Sequence, residues 1–353
     1  MPPVGLYIHV PFCKRKCVYC DFYSSADLTS VGEYVKAVIR NIKSEGRTYD
    51  TVYFGGGTPS LLTAEQISDI LSSADITGGA EISMECNPES VTVAYLRELK
   101  NAGINRLSFG IQSLDDKELK ALGRLHNAEK AERAAVSAEK AGFENVSADL
   151  MLAVSGQSQK SLGNTLDRLL KLPLTHISAY MLKVEEGTPL SRDSGLLSEV
   201  PDEDAAADMY LQTVRTLSDA GFEQYEISNF AKRGYECRHN LKYWRCEEYF
   251  GVGSSAHSFL DGERFYCPKD TKKFISETLQ ERVSLGAGGD DKERAMLALR
   301  LTKEGLPLCE YPESEKPAEP LIKAGLVKKE QGSLRLTPKG CLVSNEIICR
   351  LVM

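Results

Sequence analysis

Three cysteines in one short segment constrain this chain more than any other feature of its sequence. Cys13, Cys17 and Cys20 stand at spacings of four and three residues, and the next candidate position holds Phe22. Cysteine thiolates hold iron–sulfur clusters, and a cubic 4Fe–4S cluster needs four ligands. Three thiolates would therefore leave one iron open, and an open iron can bind a small molecule.

Zinc and unligated thiols are the alternatives for the same cysteines. Structural zinc sites usually combine two separated pairs of cysteine or histidine, and no matching second pair follows here. A disulfide framework is not expected, because the sequence shows no signal peptide and so does not indicate an oxidising compartment. Because the sequence has ten cysteines and shows no signal peptide, we expect the protein to lie in a reducing cytoplasm, with some of its thiols reserved for a metal.

Length and charge narrow the possible classes of protein. The chain has 353 residues, which exceeds the roughly 250–300 residues at which single cores stop growing, so we expect one large domain and a smaller one. Lys+Arg 43 against Asp+Glu 50 gives a net charge of -7, which argues against nucleic-acid binding. No apolar run approaches the ~20 residues of a membrane span, so no transmembrane anchor is expected.

Apolar strands alternate with helix-period segments through the first half of the chain. Strands are predicted at 6–10, 51–55, 82–86, 106–110, 145–152 and 176–182, with helices at 31–43, 64–73, 93–102, 128–141 and 162–170. Strand followed by helix predicts parallel βα units, and eight such units would close a barrel. Six units therefore predict an α/β fold with an open, partial (β/α)6 barrel of the TIM type.

Polar or glycine-rich residues follow several of these strands. Active sites of parallel barrels lie at the carboxyl ends of the strands. The cysteine segment follows the first strand and Gly55-Gly56-Gly57-Thr58-Pro59 the second, while Glu85, Gln112 and Asp149 belong to the third, fourth and fifth. The sequence therefore predicts a functional site at one face of the barrel.

The second half of the chain is less regular. Residues 222–230 are predicted as a strand that extends the sheet, and Gly286, Gly288 and Gly289 as a linker. Beyond it we expect helices at 291–302 and 317–324, two strands within 326–338, and a last helix at 339–351, which together suggest a winged-helix-like domain. The predicted domains are a barrel core at 1–230, an extension at 231–285 and a C-terminal α+β domain at 286–353.

The motif C-x-x-x-C-x-x-C after a first strand resembles the signature of radical S-adenosylmethionine (SAM) enzymes. Residues 106–113, R-L-S-F-G-I-Q-S, and 123–126, G-R-L-H, resemble motifs of the oxygen-independent coproporphyrinogen III oxidase-like family within them. The resemblance implies a radical SAM barrel in which the amino and carboxylate groups of SAM chelate the open iron. It also implies a flavodoxin- or ferredoxin-type electron donor.

The resemblance assigns further residues to the cofactors. It implies Tyr7 beside the SAM iron, Gly56, Gly57 and Thr58 along the methionine moiety, Glu85 and Gln112 at the nucleoside or amino group, Arg124 at the SAM carboxylate and Asp149 near the adenosine. Tyr19 and Phe22 are expected to cover the cluster with apolar rings. The ordinary alternatives are a solvent-exposed Glu85, a helix-capping Arg124 and a hydrogen-bonded core acid at Asp149.

One segment departs from the family pattern. Ala153-Val154-Ser155-Gly156 stands where a glycine-leucine-proline turn is expected. This difference concerns the shape of the loop after the fifth strand and, with it, the adenine pocket.

Two features favour a heme-chaperone branch of the family over its oxidases. Oxidases of this family carry a fourth cysteine where Phe22 stands, and they have a longer segment before the cluster than the twelve residues that precede Cys13. Residues 239–244, H-N-L-K-Y-W, match the H-N-x-x-Y-W motif associated with heme binding in that branch. The candidate iron ligand is His239, with Cys237, Cys246, His126 and His257 as rivals, and a structural turn with core aromatics as the alternative.

The sequence therefore predicts a protein that binds heme and transfers it to acceptor proteins, without porphyrinogen decarboxylation and with no catalytic residue identified. Oxidation of coproporphyrinogen III to protoporphyrinogen IX is the alternative function. A zinc-binding scaffold without redox chemistry is a third.

Overall fold

The computed structural model describes residues 2–352, and Met1 and Met353, at the outer ends of the first and last predicted domains, lie outside the described residues. The strands are β1 (Val4–Val10), β2 (Thr48–Gly56), β3 (Asp75–Cys86), β4 (Arg106–Gln112), β5 (Asn145–Leu152), β6 (His176–Met181), β7 (Glu223–Gln224), β8 (Asn229–Ala231), β9 (Tyr249–Val252), β10 (His257–Leu260), β11 (Glu263–Tyr266), β12 (Val283–Ala287), β13 (Leu306–Pro307), β14 (Val327–Glu330) and β15 (Ser333–Leu336). The helices are α1 (Val31–Glu45), α2 (Ala64–Ser72), α3 (Val93–Ala102), α4 (Asp116–Ala121), α5 (Ala128–Lys140), α6 (Gln159–Leu169), α7 (Ser194–Ser198), α8 (Glu203–Asp219), α9 (Arg238–Trp244), α10 (Thr271–Ser276), α11 (Asp291–Ala298), α12 (Glu315–Lys323), α13 (Pro338–Leu342) and α14 (Ser344–Val352).

The main sheet follows the predicted βα order. Strands β1 to β6 lie side by side in chain order, and each neighbouring pair is parallel. At one edge β9 pairs in parallel with β1, and β10, β11 and β12 continue the sheet antiparallel. At the other edge β8 and β7 follow β6. The partial (β/α)6 barrel is confirmed.

Burial explains why the central strands form where the apolar runs predict them. Every residue of β4 is buried, as expected for a parallel strand with helices on one face and the barrel interior on the other.

Helix α6 begins at Gln159, earlier than predicted, because the Ser158 side chain accepts a hydrogen bond from the Ser161 N–H and caps the helix.

Three predicted elements are wrong in detail. Residues 222–230 form two short strands in place of one, because the Glu226 carboxylate accepts hydrogen bonds from the Ser228 N–H and the Asn229 amide and holds a turn between them. Gly286 lies in strand β12, paired with Arg264 of β11, although it was predicted in a linker. The last helix is interrupted at Val343, between α13 and α14.

Helices α11 to α14 accompany a separate sheet in the order β13-β15-β14. The two strands predicted within 326–338 are confirmed as β14 and β15, which pair with each other in an antiparallel hairpin. The domain limits at 230 and 285, and the winged-helix-like description of the C-terminal domain, stay predictions.

The loop after β5 starts with a residue in an unusual backbone conformation. Ala153 has a φ of 58°, in the left-handed region that favours glycine. Its N–H donates to Oε1 of Gln157 at 2.6 Å, and the next residue, Val154, is fully buried against Leu122 and Met151. The chain thus adopts a glycine-type conformation at the position where the family pattern carries glycine.

Replacing Ala153 with glycine tests this strain. The left-handed conformation costs an alanine about 1–2 kcal/mol, which offsets the roughly 0.5–1 kcal/mol that glycine loses in chain entropy and the loss of a buried methyl group. We expect Ala153→Gly to change the free energy of unfolding by less than about 0.5 kcal/mol. The control Ala135→Gly, buried within helix α5, should cost about 1 kcal/mol or more. Equal losses in denaturant unfolding would contradict the argument.

Candidate cluster and cofactor site

A cavity of about 400 Å³ lies at the carboxyl ends of the barrel strands. All the predicted site residues except Tyr7 and His239 line it: Cys13, Cys17, Tyr19, Cys20, Phe22, Gly56, Gly57, Thr58, Glu85, Gln112, Arg124 and Asp149. These residues come from loops and strand ends that are far apart in the sequence. The fold therefore brings the predicted motifs to a single site.

The cysteine loop is held in place by backbone and side-chain hydrogen bonds. The Cys13 N–H donates to the Ser25 carbonyl at 2.9 Å. The Thr58 hydroxyl donates to the Cys13 sulfur at 3.5 Å, and Nη1 of Arg124 donates to the Cys17 sulfur at 3.4 Å. Such donors favour negatively charged sulfur and tune a bound metal centre.

The three cysteine side chains line one cavity. A 4Fe–4S cluster takes one thiolate at each of its irons, so its ligands surround a larger object, and three cysteines around one cavity fit that requirement. Among residues 2–352, no group of three His, Cys, Asp or Glu side chains is gathered closely enough to hold one metal ion.

The glycine segment after β2 approaches the cysteine loop closely. The Gly57 N–H donates to the Val10 carbonyl at 2.9 Å, and the Thr58 N–H donates to the Phe12 carbonyl at 2.7 Å. A Cβ atom at Gly57 would lie 2.7 Å from that same carbonyl oxygen of Phe12. Only glycine therefore permits this backbone contact, which brings the segment to the edge of the cavity.

Glu85 is an acid of the cavity whose pKa is raised by its surroundings. The Tyr53 hydroxyl donates to its Oε1 at 3.0 Å, and the Gly56 N–H donates to its Oε2 at 3.2 Å. Burial, followed by the charge of Asp149, raises the pKa of Glu85 to about 7. Burial also raises the pKa of Asp149, which accepts a hydrogen bond from the Ser108 hydroxyl at 3.1 Å. Glu85 can therefore change its charge near neutral pH.

Arg124 and Gln112 are both held in restricted conformations. Nη2 of Arg124 donates to Oδ1 of Asn87 at 2.7 Å and to the Gly110 carbonyl at 2.8 Å, while its Nε is buried without a hydrogen-bond partner. Gln112 has a φ of 66°, and strained backbone of this kind is concentrated at functional sites. The guanidinium is thus fixed between the cysteine loop and the end of β4.

The predicted aromatic residues are placed differently from one another. Tyr19 packs against a small buried cluster that includes Val154. Phe22 is 66% exposed and lies at the open rim of the cavity, and its role as apolar cover of a cluster stays a prediction. The Tyr7 hydroxyl lies 3.1 Å from Nδ1 of His9, and its ring stacks on Tyr53 with 6.3 Å between centroids.

His239 lies in helix α9 and does not line the cavity. Its Nδ1 is 2.9 Å from the Thr51 hydroxyl and its Nε2 is 2.8 Å from the Tyr243 hydroxyl. The side chain is fully buried, and burial lowers its pKa to about 3. Both ring nitrogens are engaged and none is exposed, so this conformation does not offer His239 to a heme iron.

Most of the rival heme ligands are also enclosed. Cys237 and Cys246 are buried. His126 is buried with Nδ1 at 3.2 Å from Oε2 of Glu89 and Nε2 at 3.1 Å from the Ile111 carbonyl. His257 is exposed and stacks on Tyr266. Among the five candidates, His257 alone is therefore exposed.

Two buried charged residues, Arg106 and Glu81, were not identified from the sequence. Arg106 is 2% exposed, lines the cavity and keeps its Nε without a hydrogen-bond partner. Glu81 accepts hydrogen bonds from the Arg238 and His239 N–H groups at 3.0 and 3.1 Å and so caps helix α9. An arginine that opens an otherwise apolar strand was a usable signal for Arg106, whereas nothing local marks Glu81.

None of the helices within residues 2–352 combines the length and the apolar character that crossing a membrane requires.

Comparisons with known proteins agree with this geometry. The family model of the radical SAM superfamily matches residues 7–169. The heme chaperone HemW of Mycobacterium tuberculosis is 35% identical over 372 aligned positions, covering 99% of this chain and 95% of the relative. The heme chaperone HemW of Escherichia coli K12 is 38% identical over 276 positions, covering 74% and 72%.

Among solved structures, the coproporphyrinogen III oxidase HemN of Escherichia coli matches with a TM-score of 0.83 and 21% identity. The match covers 99% of this chain and 90% of HemN, and at that identity it supports the fold alone. The extent and identity of the sequence matches settle the family. The chain belongs to the radical SAM superfamily and, within it, to the family of the heme chaperone HemW.

Proposed function

We propose that the protein is a heme chaperone that holds a 4Fe–4S cluster and SAM, binds heme and passes it to acceptor proteins. The observation that carries the proposal is the convergence of three cysteines, a glycine segment and two buried acids on one cavity, in a chain matched over 99% of its length by a heme chaperone. All ten cysteines are unpaired, which supports a reducing compartment such as the cytoplasm.

In this proposal Cys13, Cys17 and Cys20 bind the cluster. When both cofactors are bound, a reduced cluster supplies an electron that can break a carbon–sulfur bond of SAM. The backbone of the Gly56 and Gly57 segment receives the methionine end, because its polar groups lie beside the cysteine loop. Glu85 binds the amino group of SAM as an ionised carboxylate, and the fixed Arg124 places positive charge beside the Cys17 sulfur.

We propose that heme binds at the rim of the cavity and not at His239. Phe22, Tyr180 and Met181 are 66%, 41% and 38% exposed, and the first two line the cavity. Exposed apolar side chains grouped beside a cavity are typical of ligand-binding surfaces. A flat apolar macrocycle can cover Phe22 and Tyr180, which both line the cavity, while the enclosed His239 stays in its hydrogen bonds.

The first experiment separates the chaperone from an oxidase. Protein reconstituted anaerobically with iron and sulfide is titrated with heme, and the same preparation receives coproporphyrinogen III, SAM and a reductant. We expect ~1 heme per chain and ~4 irons per chain, with no protoporphyrinogen detected by mass spectrometry. Formation of protoporphyrinogen would make the protein an oxidase, and zinc in place of iron would exclude both functions.

Substitutions at the rim test the position of heme. Burying an apolar side chain contributes about 1.5–3 kcal/mol, so we expect Phe22→Ser combined with Tyr180→Ser to weaken heme binding at least about tenfold. The control Leu285→Ser alters a 57% exposed side chain on β12, and it should leave the affinity unchanged in the same absorbance titration.

His239→Phe is the complementary variant. It removes both hydrogen bonds of a buried ring, so we expect a loss of about 1–3 kcal/mol in the free energy of unfolding and an unchanged heme affinity of the folded protein. If His239→Phe abolished heme binding while the rim variant retained it, the motif histidine would be the ligand after all.

The binding of SAM should depend on the charge of Glu85. With a pKa of about 7, raised by burial and Asp149 and lowered by Tyr53, Gly56 and Arg106, the carboxyl is only about one-tenth ionised at pH 6. We therefore expect its contribution to SAM affinity to fall about tenfold from its plateau at high pH, measured by calorimetry across this range.

Two variants isolate the pH effect. Glu85→Gln should remove this pH dependence, because the amide does not ionise. Glu226→Gln should retain it, because Glu226 has a similarly raised pKa of about 7 but does not line the cavity. An unchanged pH profile in Glu85→Gln would contradict the assignment.

A further inference from the structure

A second groove of about 400 Å³ lies beside the cysteine loop. Its charged lining consists of Arg15, Lys16, Lys120, Arg124 and a single carboxylate, Asp116, apart from His126. Lys16 and Lys120 are exposed. The whole chain has a net charge of -7, so a groove with four cationic side chains and one acid differs sharply from the average surface.

The groove is built by contacts between the cysteine loop and the turn that follows helix α4. Arg15 donates to the Gly123 carbonyl at 2.6 Å and to the Arg124 carbonyl at 3.2 Å. The Val18 N–H donates to the Leu122 carbonyl at 3.3 Å. A Cβ atom at Gly123, whose φ is 73°, would meet the Val18 side chain at 3.1 Å. These contacts hold the basic side chains next to the cysteine ligands.

The positive charge of the groove is largely uncompensated. Within residues 2–352, no carboxylate lies within ion-pair distance of Arg15, Lys16 or Lys120. One oxygen of Asp116 accepts a hydrogen bond from the Ala128 N–H at 2.8 Å, and His126 is paired with Glu89. A local basic surface on an acidic protein attracts acidic partners and accelerates their association.

The groove also reaches a ligand of the proposed cluster. Arg124 lines both the groove and the cavity, and its Nη1 is 3.4 Å from the Cys17 sulfur. A molecule in the groove would therefore be separated from that sulfur by one side chain. The hydrogen bonds from Arg124 to Asn87 and to the Gly110 carbonyl keep this separation short.

We propose that this groove is the docking site of an acidic one-electron donor protein of the flavodoxin class. The inference rests on the proposed function, because it requires a cluster at the three cysteines. In the transfer, the anionic hydroquinone of the donor flavin loses one electron and becomes the neutral semiquinone. The cluster gains that electron and passes from its 2+ to its 1+ state, and no bond or proton is exchanged.

The test measures how fast the reconstituted protein is reduced, followed by bleaching of cluster absorbance in a stopped-flow instrument. Reduced flavodoxin is compared with dithionite, a small reductant that needs no docking surface. We expect Lys120→Glu to slow reduction by flavodoxin about tenfold at low ionic strength, with the dithionite rate unchanged. Added salt should slow the reduction of the wild-type protein by flavodoxin, and so reduce the difference in rate between the wild-type protein and the variant.

Lys171→Glu is the matched control, since Lys171 is exposed before β6 and outside the groove. It should be reduced like the wild-type protein by both reductants. An unchanged rate of reduction by flavodoxin in Lys120→Glu would overturn the docking site. An equal fall in the rates with flavodoxin and with dithionite would also overturn it, because that result would report a change in the cluster itself. Wild-type protein that assembles no cluster would instead refute the proposed function.

Discussion

The site depends on two backbone hydrogen bonds that continue the pairing of β1 with β2 beyond the end of the strands. The N–H groups of Gly57 and Thr58 donate to the carbonyls of Val10 and Phe12, directly before Cys13. A side chain at Gly57 would collide with this backbone. The cysteine loop and the glycine segment are therefore fixed to each other by the sheet, and the remaining site residues are arranged around that pair.

The H-N-x-x-Y-W segment has a structural role, because it forms helix α9 and packs against the barrel strands. The ring of His239 lies between Tyr53 and Tyr243, with centroids 5.3 and 5.2 Å away. A Cβ atom at Gly5 would come within 3.2 Å of both His239 and Lys242, so the helix lies directly against β1. Since Asn240 of the same helix lines the cavity, α9 forms part of the cavity wall.

The sequence predicted what short-range patterns determine. Cysteine spacing, the apolar runs of β1 to β6, the polar residues at their ends and the family motifs identified the barrel and twelve of the residues that line the cavity. It did not predict the partners of those residues, because the contacts are long-range: Arg124 reaches Cys17 and Asn87, and Glu81 caps a helix some 157 residues later. Nor does a motif reveal that Thr51 and Tyr243 occupy both ring nitrogens of His239.

Two acids of the cavity favour a cationic group in the part of a ligand that lies beside them. Glu85 and Asp149 line one cavity, and each has a raised pKa because burial penalises its ionised form. Arg106 offsets part of this cost, as it lowers both pKa values. A ligand that adds positive charge would stabilise the ionised acids further, whereas an anionic ligand would oppose them. SAM carries a sulfonium and an amino group, so its charge complements the acids, while its carboxylate is better accommodated near Arg124.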